Sequence, residues 1–131
     1  MIGLDTNVLV RYIMQDDAAQ AARAAHVIEA LTADEPAFVT LVSIVELVWV
    51  LDACYALDRT QIATALEALL RTKELLVERA EQIWQALRAF RDGRGDFADC
   101  LIERCTTAGG CQRTLTFDRA AAKHAGMSLI A

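Results

Sequence analysis

At 131 residues with 55% apolar side chains, the chain has the size of one domain and ample material for one core, so a multidomain arrangement is excluded and residues 1–131 are read as a single domain. One proline and six glycines leave no room for a linker, and no repeat or low-complexity tract interrupts the chain. The net charge of −5 counts against a uniformly basic nucleic-acid binder, but it is unevenly spread: seven basic and five acidic residues lie between Arg88 and Lys123, so that segment is +2 and the remainder −7.

The opening Met-Ile-Gly-Leu-Asp lacks the basic and long apolar stretches of a secretory signal, and the expected compartment is cytoplasmic. Residues 2–4 form a short apolar strand ending at Asp5, and TNVLVRYIM behind it carries apolar residues at helical spacing. Residues 17–32 are alanine-rich, with Ala22, Ala25, Ile28 and Leu31 as the expected buried stripe of a second helix that Pro36 closes off. The run PAFVTLVSIVELVWVL is shorter than a membrane span of about 20 residues and contains Glu46, so no membrane association is expected. It divides instead into a buried strand at 37–40 and a helix opened by Ser43, whose core face is Ile44, Leu47, Val48 and Leu51. Ser43-x-x-Glu46 has the form of a capping box.

A helix at 60–71, a short strand at 75–77 and an amphipathic helix at 80–90 follow. Asp92-Gly-Arg-Gly-Asp96 reads as a loop. Phe97, Leu101 and Cys105, with Ala98 and Ile102, give the next helix its core face, and Gly109-Gly110 stops it. A strand at 114–117, a helix opened by Asp118 and a strand at 128–130 complete the chain. Strands separated by helices predict an α/β fold with a mainly parallel sheet, whose ligands gather beyond the carboxyl ends of the strands. Cys54, Cys100, Cys105 and Cys111 lack the C-x-x-C spacing of a zinc site and are read as reduced, buried, small residues; His26 and His124 fall inside helices as surface residues.

Five acids stand out. Each has a structural explanation, since Asp5, Asp96 and Asp118 lie at helix starts and Glu46 and Asp99 lie three residues after one. The alternative is convergence: helix starts that follow parallel strands crowd onto one sheet edge, and four or five carboxylates gathered there repel unless cations neutralise them. An all-oxygen donor set suits Mg²⁺ or Mn²⁺. Two such ions about 4 Å apart support phosphodiester hydrolysis, one by activating water and the other by stabilising the leaving oxygen.

The segments LDTNVLVRYI, SIVELVWVL with Glu46, GDFADCLI and TFDR, in this order over residues 2–130, together resemble the PIN-domain family, and in particular its VapC-type toxins of type II toxin–antitoxin systems. The resemblance implies a PIN-like three-layer α/β/α sandwich with a mainly parallel central sheet. It implies metal ligation by Asp5, Glu46 and Asp99, with Asp118 or Asp96 completing the acidic pocket, and catalysis by Asp5, Glu46, Asp99 and Asp118. Thr6 and Thr116 would orient the first carboxylate and the bound water, and Asn7 would fix the turn after the first strand or simply start the helix. The implied activity is a Mg²⁺-dependent endoribonuclease, with Mn²⁺ as an alternative ion, that cleaves cellular RNA and is neutralised by a cognate antitoxin entering its groove. A homodimer is implied as well.

Exposed apolar residues would serve both protein contacts; Tyr12, Ile13, Trp49 and Tyr55 are candidates, with a core position the alternative for Trp49. Arg94, Arg104, Arg113 and Arg119 are candidate phosphate contacts, each with solvent-exposed surface as the alternative. Glu103 departs from the small apolar residue expected there and is read as solvated helix surface. Two other functions compete. A catalytically silent PIN-like module that binds RNA or protein would have no need of so many mutually repelling acids, and a phosphatase or receiver-like domain using Asp5 as phosphoacceptor expects a second aspartate nearby, where position 7 is Asn.

Overall fold

Six of the seven helices start at an aspartate or threonine whose side chain accepts an N–H of the first turn: Asp5, Asp17, Thr40, Asp58, Asp96 and Asp118. These caps satisfy donors that a helix otherwise leaves open, and so fix where each helix departs from the strand or loop before it. The computed structural model describes every residue, and the chain parts into two compact units, Met1–Glu78 and Arg79–Ala131.

The first unit contains β1 (Ile2–Gly3), α1 (Thr6–Met14), α2 (Ala18–Glu29), β2 (Ala37–Val39), α3 (Leu41–Ala53), α4 (Arg59–Leu70) and β3 (Leu75–Val77). Its sheet has the order β1-β2-β3 and is parallel throughout, with Ile2 opposite Ala37 and Ala37 opposite Leu75. Leu4 prolongs the β1 ladder by donating its N–H to the Phe38 carbonyl at 3.1 Å. Leu9, Val39, Ile44, Leu47, Leu51 and Leu66 are the large side chains sealed in its core. In α3 the four core positions read from the sequence, Ile44, Leu47, Val48 and Leu51, are all buried.

Two details of this unit differ from the sequence reading. The buried stripe of α2 is Ala21, Ala24 and Ile28 rather than the register of Ala22 and Ala25; alanine on every face gives the helix little amphipathic signal, and packing against α1 makes the choice. The start of α3 is Thr40, not Ser43: the Thr40 hydroxyl accepts the Ser43 N–H at 3.1 Å, and the Glu78 carboxylate accepts the Leu41 N–H at 2.7 Å. Glu46 therefore lies beyond the first turn and has no part in a capping box. The apolar run expected to split into strand and helix does so as β2 and α3, and no helix is long and apolar enough to cross a membrane.

The second unit contains α5 (Ala80–Asp92), α6 (Phe97–Ala108), β4 (Leu115–Thr116), α7 (Arg119–His124) and β5 (Ser128–Leu129). α5 and α6 pack on each other, with the rings of Phe90 and Phe97 edge to face at 5.7 Å. β4 and β5 pair in parallel, Leu115 opposite Ser128. The fold is thus α/β with parallel pairing in both sheets. The core face of α6 is Phe97, Cys100 and Leu101, while Cys105 is half-buried and Ile102 is 49% exposed. Of the cysteines, none in a disulfide, only Cys100 is the buried small residue expected; Cys54 and Cys111 are exposed.

Trp49, for which a core position was one reading, is 64% exposed on α3. Leu51 is fully buried on the same helix. Leu51→Ala is expected to cost about 2–5 kcal/mol, whereas Trp49→Ala is expected to stay within about 0.5 kcal/mol of the parent. Denaturant unfolding of the two variants checks the contrast, and a comparable loss for Trp49→Ala contradicts it.

Candidate active site

In the first unit the sheet itself places the acids. β1 and β2 are parallel neighbours, so the backbone leaving each strand emerges at the same sheet edge, where Asp5 opens α1 and Thr40 opens α3. Asp5 Oδ1 accepts the Val8 N–H at 3.1 Å. Thr6 is 7% exposed, and its hydroxyl donates to Glu46 Oε1 in a short hydrogen bond. The sequence reading gave Thr6 to the first carboxylate, Asp5; its partner is instead the acid forty positions further along the chain. Asn7 is exposed in the first turn of α1, and its side chain makes no hydrogen bond.

In the second unit Asp96 and Asp118 are helix caps. Asp96 Oδ1 accepts the Asp99 N–H at 3.1 Å, and Asp118 Oδ1 accepts the N–H groups of Ala120 and Ala121 at 2.8 and 3.2 Å. Thr116 accepts the Asp118 N–H at 2.9 Å, which steadies the turn that presents Asp118. Asp99 differs from both. It is half-buried, its carboxylate makes no hydrogen bond or ion pair, and its pKa is raised above the ordinary aspartate value by burial first and then by the charges of Asp96 and Asp118. The structure therefore couples Asp96, Asp99 and Asp118 electrostatically, and brings Thr6 and Glu46 into contact beside Asp5.

Capping and ligation prove compatible. The hydrogen bonds to Asp5, Asp96 and Asp118 all end on Oδ1, and the bond to Glu46 ends on Oε1. Each of these acids keeps its second oxygen free, and Asp99 keeps both. Within neither unit are three or more acidic, histidine or cysteine side chains gathered closely enough to hold an ion. The donor chemistry of the second unit nevertheless suits a hard divalent cation: Asp96, Asp99 and Asp118 offer only carboxylate oxygens, and such a cation would offset the burial and the mutual repulsion that raise the Asp99 pKa.

Comparison with known families decides the kinship: the model of the PIN domain matches residues 2–127, through both units. The chain belongs to the PIN domain family. PIN domains are generally metal-dependent nucleases that typically use divalent ions, and membership of the family points to a nuclease-like function. No match was found among curated proteins.

The basic residues of this PIN domain are less uniform than the sequence suggested. Arg94, Arg113 and Arg119 are exposed and make no ion pair. Arg104 is not free: its Nε and Nη2 donate to the two Glu103 oxygens at 2.5 and 2.6 Å. Glu103, read from the sequence as solvated surface, has a side chain only 14% exposed; Arg104 and the Thr107 hydroxyl at 3.1 Å satisfy it there, and the bond from Arg104 above all lowers its pKa. His26 is exposed and His124 half-buried. Tyr12 and Ile13 are half-buried, and the Tyr55 hydroxyl donates to Asp16 at 2.7 Å, beside the Arg11–Asp16 ion pair. Sequence spacing offered no signal for the Thr6–Glu46 or Tyr55–Asp16 contacts, because tertiary packing makes both.

The raised pKa of Asp99 has a consequence for stability. The folded state holds the Asp99 proton more tightly than the unfolded chain, so the metal-free protein loses stability as pH rises from the ordinary aspartate range through the raised value. At neutral pH and in chelator, Asp99→Asn is expected to melt above the parent protein, with the gap closing in acid. Thermal melts across pH check this; a variant that melts below the parent at neutral pH contradicts it.

Proposed function

We propose that this PIN domain is a Mg²⁺- or Mn²⁺-dependent endoribonuclease of the VapC toxin type, acting in the cytoplasm as a single domain and a homodimer, cleaving cellular RNA, and neutralised by a cognate antitoxin. The observation that carries the metal-dependent part is Asp99: a half-buried carboxylate without a hydrogen-bond partner, flanked by two further acids. A group of this kind is costly to maintain unless a cation completes it. The VapC assignment and the RNA substrate rest on the resemblance of the four sequence segments. The antitoxin and the second copy rest on that resemblance together with exposed apolar side chains such as Val42 and Trp49, 76% and 64% accessible.

In this reading Asp5, Glu46 and Asp99 hold the metal, with Asp118 or Asp96 as a further ligand. Ions bound there would supply water activation and neutralise the phosphodiester charge. The chain's own residues prepare for this. Thr6 orients Glu46 by engaging one oxygen and leaving the other available. The helix caps immobilise Asp5, Asp96 and Asp118 in the same one-sided way, and Thr116 sets the turn that carries Asp118. These fixed carboxylates need no reorganisation when charge develops at phosphorus.

Asp5→Asn and Asp99→Asn are each expected to lower Mg²⁺-dependent RNA cleavage by at least about 100-fold and to relieve growth arrest on expression, with folding unchanged by circular dichroism. Undiminished cleavage by both purified variants contradicts the assigned ligands. A parent protein that binds RNA but cleaves none with any divalent ion would instead favour a catalytically silent module.

A further inference from the structure

The second unit holds a cavity of mixed polar and apolar lining that the acidic site does not use. It measures about 460 Å³, and its walls include Gln85 and Arg88 from α5, Cys100, Glu103 and Arg104 from α6, and His124 from the end of α7. Its charges can be counted from the contacts. Arg104 and Glu103 form a two-point ion pair and cancel. Arg88, exposed and without an ion-pair partner, leaves the cavity with a net positive charge. His124 and Gln85 add further hydrogen-bonding groups. In a chain of net charge −5, this is a concave place where a cation stands unopposed.

Its position bears on the acids. Cys100, in the cavity wall, directly follows Asp99, and Glu103 lies one helical turn beyond it. Asp99 and Glu103 therefore lie on the same face of α6, so the cavity wall and the unpartnered carboxylate occupy successive turns of one helix. The shape is set by close packing at Gly95, where a Cβ atom would stand 2.8 Å from the His124 carbonyl oxygen and 3.0 Å from Cys100 Sγ. No side chain can be added there without moving the end of α7 away from α6.

We propose that this cavity binds a backbone phosphate of the nucleic-acid strand next to the scissile one, with Arg88 as the binding charge and the Glu103–Arg104 pair as the rigid wall that positions it. The proposal rests on the nuclease reading and names a substrate contact for it. Of the two arginines in the cavity wall, Arg88 is the one available to a phosphate, because Arg104 is already committed to Glu103. An anionic polymer suits the site because one guanidinium binds a phosphate through paired N–H groups, and a bound phosphate releases counterions from the strand.

Binding of a short fluorescent single-stranded RNA, with Ca²⁺ in place of Mg²⁺ and over a series of salt concentrations, tests this without relying on turnover. Arg88→Ala is expected to weaken binding and to reduce the log–log salt slope by about one. Arg88→Lys should restore most of the slope, and Arg113→Ala, at an exposed position outside the cavity, should change affinity less. An Arg88→Ala protein that binds with unchanged affinity and slope overturns the proposal, as does one that loses cleavage while binding normally. If the parent cleaves no RNA yet Arg88→Ala still flattens the slope, the phosphate site stands and the nuclease reading fails. If the parent cleaves and the slope is untouched, only the phosphate site fails.

Discussion

An aspartate that caps a helix engages one carboxylate oxygen with backbone N–H groups, and geometry leaves the other pointing elsewhere. Much of this protein depends on that asymmetry. Asp5, Asp96 and Asp118 each hold a helix start with Oδ1 alone, so the residues that fix the local fold also keep a free oxygen. Glu46 reaches the same condition by a different route, through the buried hydroxyl of Thr6. Structural and chemical roles thus reside on opposite oxygens of one side chain, and the choice between capping and ligation dissolves.

Asp99 is the exception that gives the arrangement its chemical meaning. Nothing in the protein compensates its charge; burial first, and then the charges of Asp96 and Asp118, raise its pKa. Glu103, one turn along the same helix, shows what compensation looks like: a bidentate arginine and a threonine hydroxyl hold its pKa below the usual range. Two acids on one helix therefore have opposite environments. One is settled by the protein and serves as a wall, while the other is left for a partner of positive charge.

The fold was legible where the signal is local. Alternating strands and helices, the core face of α3 and the division of the long apolar run all follow from apolar periodicity and short polar residues at helix starts. Legibility failed where several residues compete for one role. Ser43 and Thr40 are both good caps, and the strand end decided for Thr40. Alanines on every face of α2 left its register to packing, and Cys105 and Ile102 gave way to Cys100 because α6 is turned toward α5.

What the sequence determined by itself was the identity of the acids and their spacing after the strands, because the residue type and the helix boundary are both written locally. It also carried the family resemblance, which the match over residues 2–127 bears out. Only tertiary structure decided the partners: Thr6 with Glu46, Arg104 with Glu103, Tyr55 with Asp16, and the exposure of Trp49 and Arg88. Periodicity places a side chain on a face of its own element, but the charge or hydroxyl it meets belongs to whatever packs or ends beside it. Free carboxylates and neutralised ones look the same in one dimension.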